Sequence, residues 1–147
     1  MSEKELLLQA CYKYVSKRID SYKNEIETIK DCIENNKSSD EEDDSGSGKL
    51  MSDLEKNMQY LNDAAKMKDV LNQINPKMSS SVIGLGTFVQ TTLRDFFVSI
   101  SAGELILESK TVYAISLGSP IGTALIGKKA GDKIEFNGNT ILIKSVK

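Results

Sequence analysis

The sequence predicts an α+β fold, in which an N-terminal antiparallel helical hairpin (a coiled coil) is followed by a small antiparallel β domain with one short helix. Two observations predict it. Apolar residues recur in steps of three and four in the first half, and short β-branched or aromatic runs bounded by turn residues fill the second half. The domains implied are a hairpin at 1–75, a linker at 76–81 and a β domain at 82–147.

The first helix carries a single apolar stripe. Its members follow heptad spacing with no Gly or Pro between them: Leu8, Tyr12, Val15, Ile19, Tyr22, Ile26, Ile29 and Ile33. Ser2 and Glu5 have the spacing of a capping box at its start. Because the remaining positions are mostly Lys, Glu, Asn and Ser, the helix requires a partner along this stripe.

A second stretch with helical periodicity supplies the partner. Its seam is predicted at Leu54, Met58, Leu61 and Ala65, flanked by Leu50, Ala64 and Leu71. Ser52 with Glu55 has the spacing of another capping box, and Pro76 predicts the end of the helix. Folded back on the first helix, this stretch completes an antiparallel hairpin. A helix of about 30 residues gives an arm roughly 45 Å long.

The connection between the helices is predicted as an acidic tip loop at 35–51. Its glycines, serines and contiguous carboxylates favour a solvated loop. The carboxylates, called the acidic run below, are Asp40, Glu41, Glu42, Asp43 and Asp44. The last seam residue of helix one is Ile33 and the first of helix two is Leu54, so the middle of the connection falls near Asp43. This spacing predicts the acidic run at the apex of the hairpin.

Composition excludes several classes of function. Histidine is absent, which removes the commonest general base and the commonest metal ligand. Cys11 and Cys32 are predicted in one helix and roughly 30 Å apart, too far for a disulfide, so both are interpreted as small apolar residues in a reducing compartment. No run of about 18 apolar residues and no signal peptide is found, which predicts a cytoplasmic protein without a membrane span.

Charge is distributed unevenly along the chain. Residues 1–75 carry 11 basic and 16 acidic side chains, whereas residues 76–147 carry 8 basic and 5 acidic ones. An acidic arm on a mildly basic body argues against a simple DNA-binding module, whose footprint would be a strong basic patch.

The second half predicts six strands and one helix. The strands are expected to begin at Thr87, Phe96, Leu105, Thr111, Lys133 and Thr140. Asn137-Gly-Asn is a hairpin turn signal between the last two strands. Residues 120–126 are the helical candidate, since Pro120 suits a first turn and Gly127 an end.

One segment of this half resembles a known family. Residues 118–134 read Gly-Ser-Pro-Ile-Gly-Thr-Ala-Leu-Ile-Gly-Lys-Lys-Ala-Gly-Asp-Lys-Ile. They closely resemble the Ser-Pro-x-Gly-x-Ala-Leu-x-Gly-Lys-x-x-Gly-Asp signature of the Gre transcript-cleavage factors. The order of parts is also similar: a coiled-coil hairpin, a linker and an FKBP-like β domain. The resemblance extends to the architecture of the whole chain, with strong identity in the last third.

The resemblance implies a transcription elongation factor that binds bacterial RNA polymerase. In that family the C-terminal domain grips the rim of the secondary channel, and the hairpin passes down the channel toward the active centre. Carried over, the partner-binding loop is Ser119, Pro120, Ile121 and Gly122. An alternative, compatible with the first, is that Pro120, Ala124 and Leu125 only shape and pack the short helix. Lys128 is either a contact to an acidic partner surface or, with Lys129, part of a solvated turn.

Acids at the end of an arm suit one kind of chemistry. Polymerase hydrolyses phosphodiesters with two metal ions, and carboxylates can complete the shell of a weakly held Mg²⁺ that activates water. The resemblance therefore implies a monomeric cofactor of the polymerase rather than an independent enzyme. It would act on the polymerase's Mg²⁺ and indirectly on the RNA 3′ end, with no metal or other cofactor of its own.

The tip departs from the family's pattern. The usual Asp-Leu-x-Glu-Asn-x-x-Tyr is matched by Asp53-Leu-Glu-Lys-Asn-Met-Gln-Tyr, but Lys56 replaces the expected Glu, and Glu55 is one place early. Two placements stay open: the acidic run acts at the apex, or Asp53 and Glu55 act and the run is only solvated. Because clustered tip acids resemble the Gre-related inhibitors of the channel, both cleavage of backtracked RNA and inhibition without cleavage remain alternatives.

Two other functions are weighed against these. A peptidyl-prolyl isomerase would fit an FKBP-like domain, but it needs a deep aromatic pocket, and the aromatic residues are all predicted in the core: Phe88, Phe96, Phe97, Tyr113 and Phe136. A coiled-coil interaction protein would pair the first helix between chains instead of folding it back.

Overall fold

The computed structural model describes the backbone of residues 1–37 and 44–147 and the side chains of 1–35 and 48–147. Its elements are, in chain order, α1 (Glu3–Lys37), α2 (Asp44–Asn72), β1 (Phe88–Thr91), β2 (Asp95–Val98), β3 (Gly103–Leu107), β4 (Lys110–Ile115), α3 (Pro120–Leu125), β5 (Lys133–Phe136) and β6 (Asn139–Val146). Two long helices followed by a sheet with a short helix confirm the predicted α+β fold class. In the described part of the chain, neither long helix has an apolar stretch that could cross a membrane.

The chain forms two compact units. One is Val15–Lys68, the middle of the hairpin, and the other combines Met1–Tyr14 with Asp69–Lys147. The second unit therefore contains the start of α1, the end of α2 and the whole β domain. The predicted boundaries at 1–75, 76–81 and 82–147 follow the change of secondary structure, whereas the compact units cut across both helices.

Within Val15–Lys68 the two helices run antiparallel. The rings of Tyr22 and Tyr60 have centroids 5.5 Å apart. Farther along α1, Ile33 lines a shallow cleft with Leu54 and Met51 of α2. As residue numbers rise on α1 they fall on α2, so the helices pair within one chain. Val15, Ile26 and Ile29 of the predicted stripe are buried here.

The seam of α2 differs from the prediction at two positions. Ala64 is buried while Ala65 is exposed, and Asn57 is half-buried while Met58 is 51% exposed. Asn57 tolerates this position because its Nδ2 donates a hydrogen bond of 2.9 Å to the carbonyl oxygen of Asp53, one turn earlier. The geometry of the helix pair therefore places position 57 in the seam and leaves position 58 exposed, although Met58 is the more apolar residue.

The predicted tip loop at 35–51 is too long, because both helices extend into it. Helix α1 continues to Lys37 and α2 already begins at Asp44, so Ser52 lies inside α2 and not at its cap. Each residue that extends a formed helix gains one hydrogen bond while the backbone of one residue is ordered. A glycine in a helix costs only about 1 kcal/mol relative to alanine. Turn-forming composition alone therefore does not stop the helix. At the other end Ser2 caps α1 as predicted, accepting a hydrogen bond from the amide of Glu5 at 3.2 Å.

The six strands of the β domain form one sheet in the order β3-β4-β2-β1-β6-β5. Four of its five strand pairs are antiparallel, in keeping with the prediction. Strands β2 and β4 run parallel, because the chain leaves β2, forms β3 at the sheet edge and returns between them as β4. This pairing sets Phe96 beside Tyr113.

Both faces of this sheet are covered within its compact unit. Helix α3 covers the face with Val89, Phe96 and Val98, where Leu125 is fully buried. The alternate residues Phe88 and Phe97 are also buried and face the opposite way. The start of α1 contacts the β domain at three points. The Cys11 Sγ lies 3.5 Å from the Ser99 Oγ, Lys4 Nζ donates to the Lys147 carbonyl at 3.3 Å, and Lys110 forms a 2.7 Å ion pair with Glu3.

The two thiols are expected to differ sharply in reactivity. Cys32 is exposed, whereas Cys11 is fully buried, and burial raises the pKa of its thiol while the hydrogen bond with Ser99 opposes the shift. Since the thiolate is the reactive form, one thiol per native chain should react rapidly with an aromatic disulfide reagent and the second only after unfolding. The Cys32→Ser variant should react in the slow phase only. A fast phase in that variant would contradict the burial of Cys11.

The same shift predicts a pH dependence of stability. Folding raises the pKa of this thiol, so the thiol favours the folded state at pH values below its pKa in the unfolded chain. That contribution to stability is lost as the pH rises above the unfolded-state pKa, because only the unfolded chain then ionises readily. We therefore expect the free energy of unfolding of Cys11→Ala to fall less above pH 9.0, the ordinary pKa of the thiol, than that of the unmodified protein. Denaturant unfolding at neutral and alkaline pH measures the difference.

Candidate functional site

Most of the acidic run cannot be placed. Asp40, Glu41, Glu42 and Asp43 lie outside the described residues, and of Asp44 only the backbone is described, as the first residue of α2. The position of the run at the apex therefore stays a prediction. The described helices bracket it, with α1 ending at Lys37.

The alternative acids, Asp53 and Glu55, do not form a pair. Both lie in α2, two residues apart, and two steps of about 100° turn their side chains to nearly opposite sides of the helix. Asp53 is half-buried and Glu55 is exposed, as is Lys56 between Glu55 and Asn57. Among the described residues, no three His, Cys, Asp or Glu side chains come together to hold a metal ion.

The other residues of this segment have structural roles. Leu54 and Asn57 occupy the seam of the hairpin, and the ring of Tyr60 packs against that of Tyr22. Leu54, Asn57 and Tyr60 of the pattern at 53–60 thus take part in helix pairing, and a role for the Asp53 carboxylate stays a prediction.

The predicted partner-binding loop forms the start of α3. Ser119 is its N-cap, whose Oγ accepts from the Gly122 amide at 3.1 Å and donates to the Ser116 carbonyl at 2.7 Å. Pro120 follows in the first turn, and Gly122 is buried. Ile121 is the member of the loop that reaches a cavity. These residues therefore shape the start of the helix and fix the position of Ile121, and the partner-binding role of the loop stays a prediction.

Lys128 is exposed, and its backbone joins α3 to the rest of the domain. Its carbonyl accepts from the Ile83 amide at 2.8 Å, and its amide donates to the Leu125 carbonyl at 3.0 Å. Next to it, the Lys129 amide donates to the Asp132 carboxylate at 2.9 Å, which closes the turn before β5. The side chain of Lys128 points into solvent from a backbone held on both sides.

Sequence reasoning missed an open cleft in the β domain, which we call the aromatic cleft. Its volume is about 340 Å³, and its lining comprises Leu93, Arg94, Phe96, Tyr113, Ile115, Ile121, Phe136, Asn137 and Asn139. Phe96, Tyr113 and Phe136 were expected only as core. They do pack on the core, but the same rings also form the walls of the cleft. The aromatic composition alone therefore does not exclude a ligand site in this domain.

The cleft carries one charged group. The Arg94 guanidinium carbon lies 4.3 Å from the centroid of the Tyr113 ring, a cation–π contact. Among the lining residues, all of which the structure describes, Arg94 alone is charged. Its guanidinium has no ion pair or hydrogen bond within the described part of the chain. A cation at the edge of an apolar cleft favours an anionic group in whatever fills it.

Comparison with known proteins gives structural matches alone. No family model matches the chain, and no curated protein does either. The chain is similar to the crystal structure of Gfh1, a GreA factor homologue from Thermus thermophilus, with 19% identity, a TM-score of 0.38 and coverage of 92% of this chain and 94% of that one. Gfh1 of Thermus aquaticus matches with 23% identity, a TM-score of 0.38 and coverage of 94% of both chains. Likeness at this TM-score and identity establishes neither a family nor a function.

Proposed function

We propose that this protein is a transcription elongation factor that binds bacterial RNA polymerase in its secondary channel and acts on the active centre through the acidic run. One observation supports the proposal: the acidic run follows the end of α1 in the sequence and reaches the first residue of α2. These helices form an antiparallel hairpin, and its two ends share one compact unit with the β domain that bears the Gre-like signature at 118–134.

The hairpin has the dimensions of a reaching arm. Helix α1 has 35 residues, which at 1.5 Å per residue makes it roughly 50 Å long. Its stripe is covered by α2 in the same chain, so the arm needs no second copy, and we propose that the protein acts as a monomer in the cytoplasm. The first part of the hairpin is joined to the β domain by the contacts of Glu3, Lys4 and Cys11 with Lys110, Lys147 and Ser99.

The chemistry proposed at the tip belongs to the polymerase. Its Mg²⁺ ions activate water and stabilise the leaving oxygen, and carboxylates from the acidic run would complete the shell of the weakly held ion. On this proposal the protein contributes acidic ligands and their positioning, and the metal ions are those of the polymerase. Cleavage of backtracked RNA is the first outcome proposed.

Inhibition without cleavage is the second candidate, and one observation favours it. The acids of the family's cleavage pattern are not assembled here, since Lys56 replaces one of them and Asp53 and Glu55 lie on different sides of α2. A dense acidic run would then bind the Mg²⁺ or exclude substrate without positioning water. Both candidates require the same docking in the channel.

The test uses stalled, backtracked complexes of RNA polymerase from the source organism, incubated with the full-length protein. Shortened transcripts that resume elongation would support cleavage, and slower synthesis without shortening would support inhibition. Co-sedimentation of the protein with the polymerase measures docking independently. Absence of binding to the polymerase would overturn the proposal as a whole.

A further inference from the structure

We infer that the free edge of β3 is a strand-addition site, which takes an extended basic segment of a partner protein. Strand β3 ends the sheet order, and within the described part of the chain β4 is the one strand that pairs with it. The edge lies outside α3 and outside the helical hairpin. The inference therefore goes beyond the proposed action on the polymerase and stands without it.

The hydrogen bonds of β4 determine which backbone groups of β3 are paired. The Ile115 carbonyl accepts a hydrogen bond of 2.7 Å from the amide of Ser99, which directly follows β2, so Ile115 faces β2. Successive residues of a strand turn their N–H and C=O groups to opposite sides. Val112, three residues before Ile115, therefore faces β3, where its register partner is Leu105.

Glu104 and Ile106, on either side of Leu105, must then turn their N–H and C=O groups outward. Neither residue takes part in another backbone hydrogen bond in the described part of the chain. Each offers one donor and one acceptor at the edge. An antiparallel segment laid along β3 can pair with both residues without any change in the sheet.

The side chain of Ile106 lies uncovered at this edge. It is 73% exposed, more than any other described Ile, Leu or Val side chain. Its register partner Thr111 is exposed as well, whereas Leu105, which points to the other face, is buried. An added strand would cover Ile106 with its own side chains and so gain apolar contact as well as backbone hydrogen bonds.

The two edges of the sheet differ in their protection. Natural edge strands are usually shielded by Lys, Pro, a bulge or a very short length. Strand β5, at the opposite edge, has four residues and exposes Lys133 and Glu135. Strand β3 contains no Lys, no Pro and no break in register. It is bounded by positive φ at Gly103 (75°) and Glu108 (41°), so the open edge is roughly 17 Å long and fits one short segment.

The charge beside Ile106 selects a basic segment. Glu104 and Glu108 are both exposed, and neither forms an ion pair in the described part of the chain. Arg94 stacks on Tyr113, the register partner of Glu104, without an ion pair to that carboxylate. Cross-strand pairs of opposite charge stabilise a sheet, so cations two residues to either side of the position opposite Ile106 fit this edge.

A second copy of this chain fits the edge less well. Two β3 strands paired about Ile106 would set Glu104 against Glu108, and like charges directly opposite are destabilising. Pairing about Leu105 would set Glu104 against Ile106 and leave the carboxylate without a cation. A five-residue strand pair is also far smaller than the contact area of a stable dimer. The charge therefore favours a different protein as the partner.

The test is an NMR titration of the ¹⁵N-labelled full-length protein with the blocked peptide Thr-Lys-Thr-Val-Thr-Lys-Thr. When its Val lies opposite Ile106, both Lys side chains lie on the face of Glu104. We expect the peptide to shift the amide signals of Glu104 and Ile106, to slow their exchange with solvent and to saturate below about 1 mM. A peptide with Glu in place of both Lys should bind at least about tenfold more weakly.

Single N-methyl groups on the peptide distinguish strand addition from attraction by charge alone. In the bound pair the Val amide donates to the Ile106 carbonyl, whereas the amide of the preceding Thr points away from β3. Methylation of the Val nitrogen should therefore weaken binding about tenfold, and methylation of that Thr nitrogen should leave it within about twofold.

Variants of the protein locate the site. Glu104→Gln should weaken the basic peptide about threefold, and Ile106→Lys about tenfold. Glu135→Gln makes the same change of charge on β5 and should leave binding unchanged. The spectrum of each free variant shows that it is folded. Equal binding of the Lys and Glu peptides, no effect of methylation at Val, or shifts confined to β5 would overturn the inference. Shifts at Ile106 that depend on protein concentration without peptide would assign the edge to a second copy and overturn it as well.

Discussion

Replacing the acidic run by amides, with Asn at positions 40, 43 and 44 and Gln at 41 and 42, is expected to abolish the effect of the protein on stalled polymerase complexes. The substitution removes five negative charges and keeps the size and polarity of the side chains. Loss of a group that supports a metal typically costs up to about 100-fold, and five such groups at one tip should cost at least that much. Docking, measured by co-sedimentation, should persist because the β domain is unchanged.

The matched control is Asp53→Asn. Asp53 is half-buried in α2, and the hydrogen bond it provides to Asn57 comes from its backbone carbonyl, which the substitution retains. We expect nearly full activity from this variant. The reverse pattern, with Asp53→Asn inactive and the amide run active, would assign the chemistry to the alternative acids. If both variants act like the unmodified protein, the carboxylates have no role at the active centre.

The helices and strands could be predicted because short-range spacing determines them. The heptad stripe from Leu8 to Ile33 requires a helix with one covered side, and the hairpin supplies that cover. The Asn137-Gly138 turn follows from the tolerance of these residues for positive φ. In the same way, the Ser119-Pro120 pair predicts the start of α3, where Ser119 is the cap. Each of these features depends on residues close together in the sequence.

What could not be predicted depends on residues far apart. The parallel pairing of β2 with β4 brings Phe96 beside Tyr113, and nothing in either strand's own sequence indicates that neighbour. The aromatic cleft exists because of this pairing and because α3 sets Ile121 against the same face. From the sequence, an aromatic residue in a strand is predicted to lie in the core, whether its ring is fully enclosed there or also lines a cleft. The sequence shows that Arg94 precedes the strand β2, but it does not show that Arg94 contacts Tyr113 of β4.

Gly122→Ala is expected to be strongly destabilising for one added methyl group. The new Cβ would overlap the Ser116 carbonyl oxygen and would lie 3.0 Å from the Ser119 Oγ and 3.1 Å from the Leu117 carbonyl oxygen. The Ser116 oxygen cannot easily withdraw, because it accepts hydrogen bonds from both the hydroxyl and the amide of Ser119. Overpacking of this kind typically costs 1–3 kcal/mol, and contact with backbone places this case at about 3 kcal/mol or more.

Gly118→Ala is the matched control, since no atom lies within 4 Å of a Cβ built at Gly118 and its φ is not positive. Denaturant unfolding should show a change within about 0.5 kcal/mol for Gly118→Ala and a large loss for Gly122→Ala. Equal unfolding midpoints for the two variants would show that α3 can shift without cost. The glycine in the signature would then need an explanation at a docking surface outside the fold, since packing around Ser116 would no longer require it.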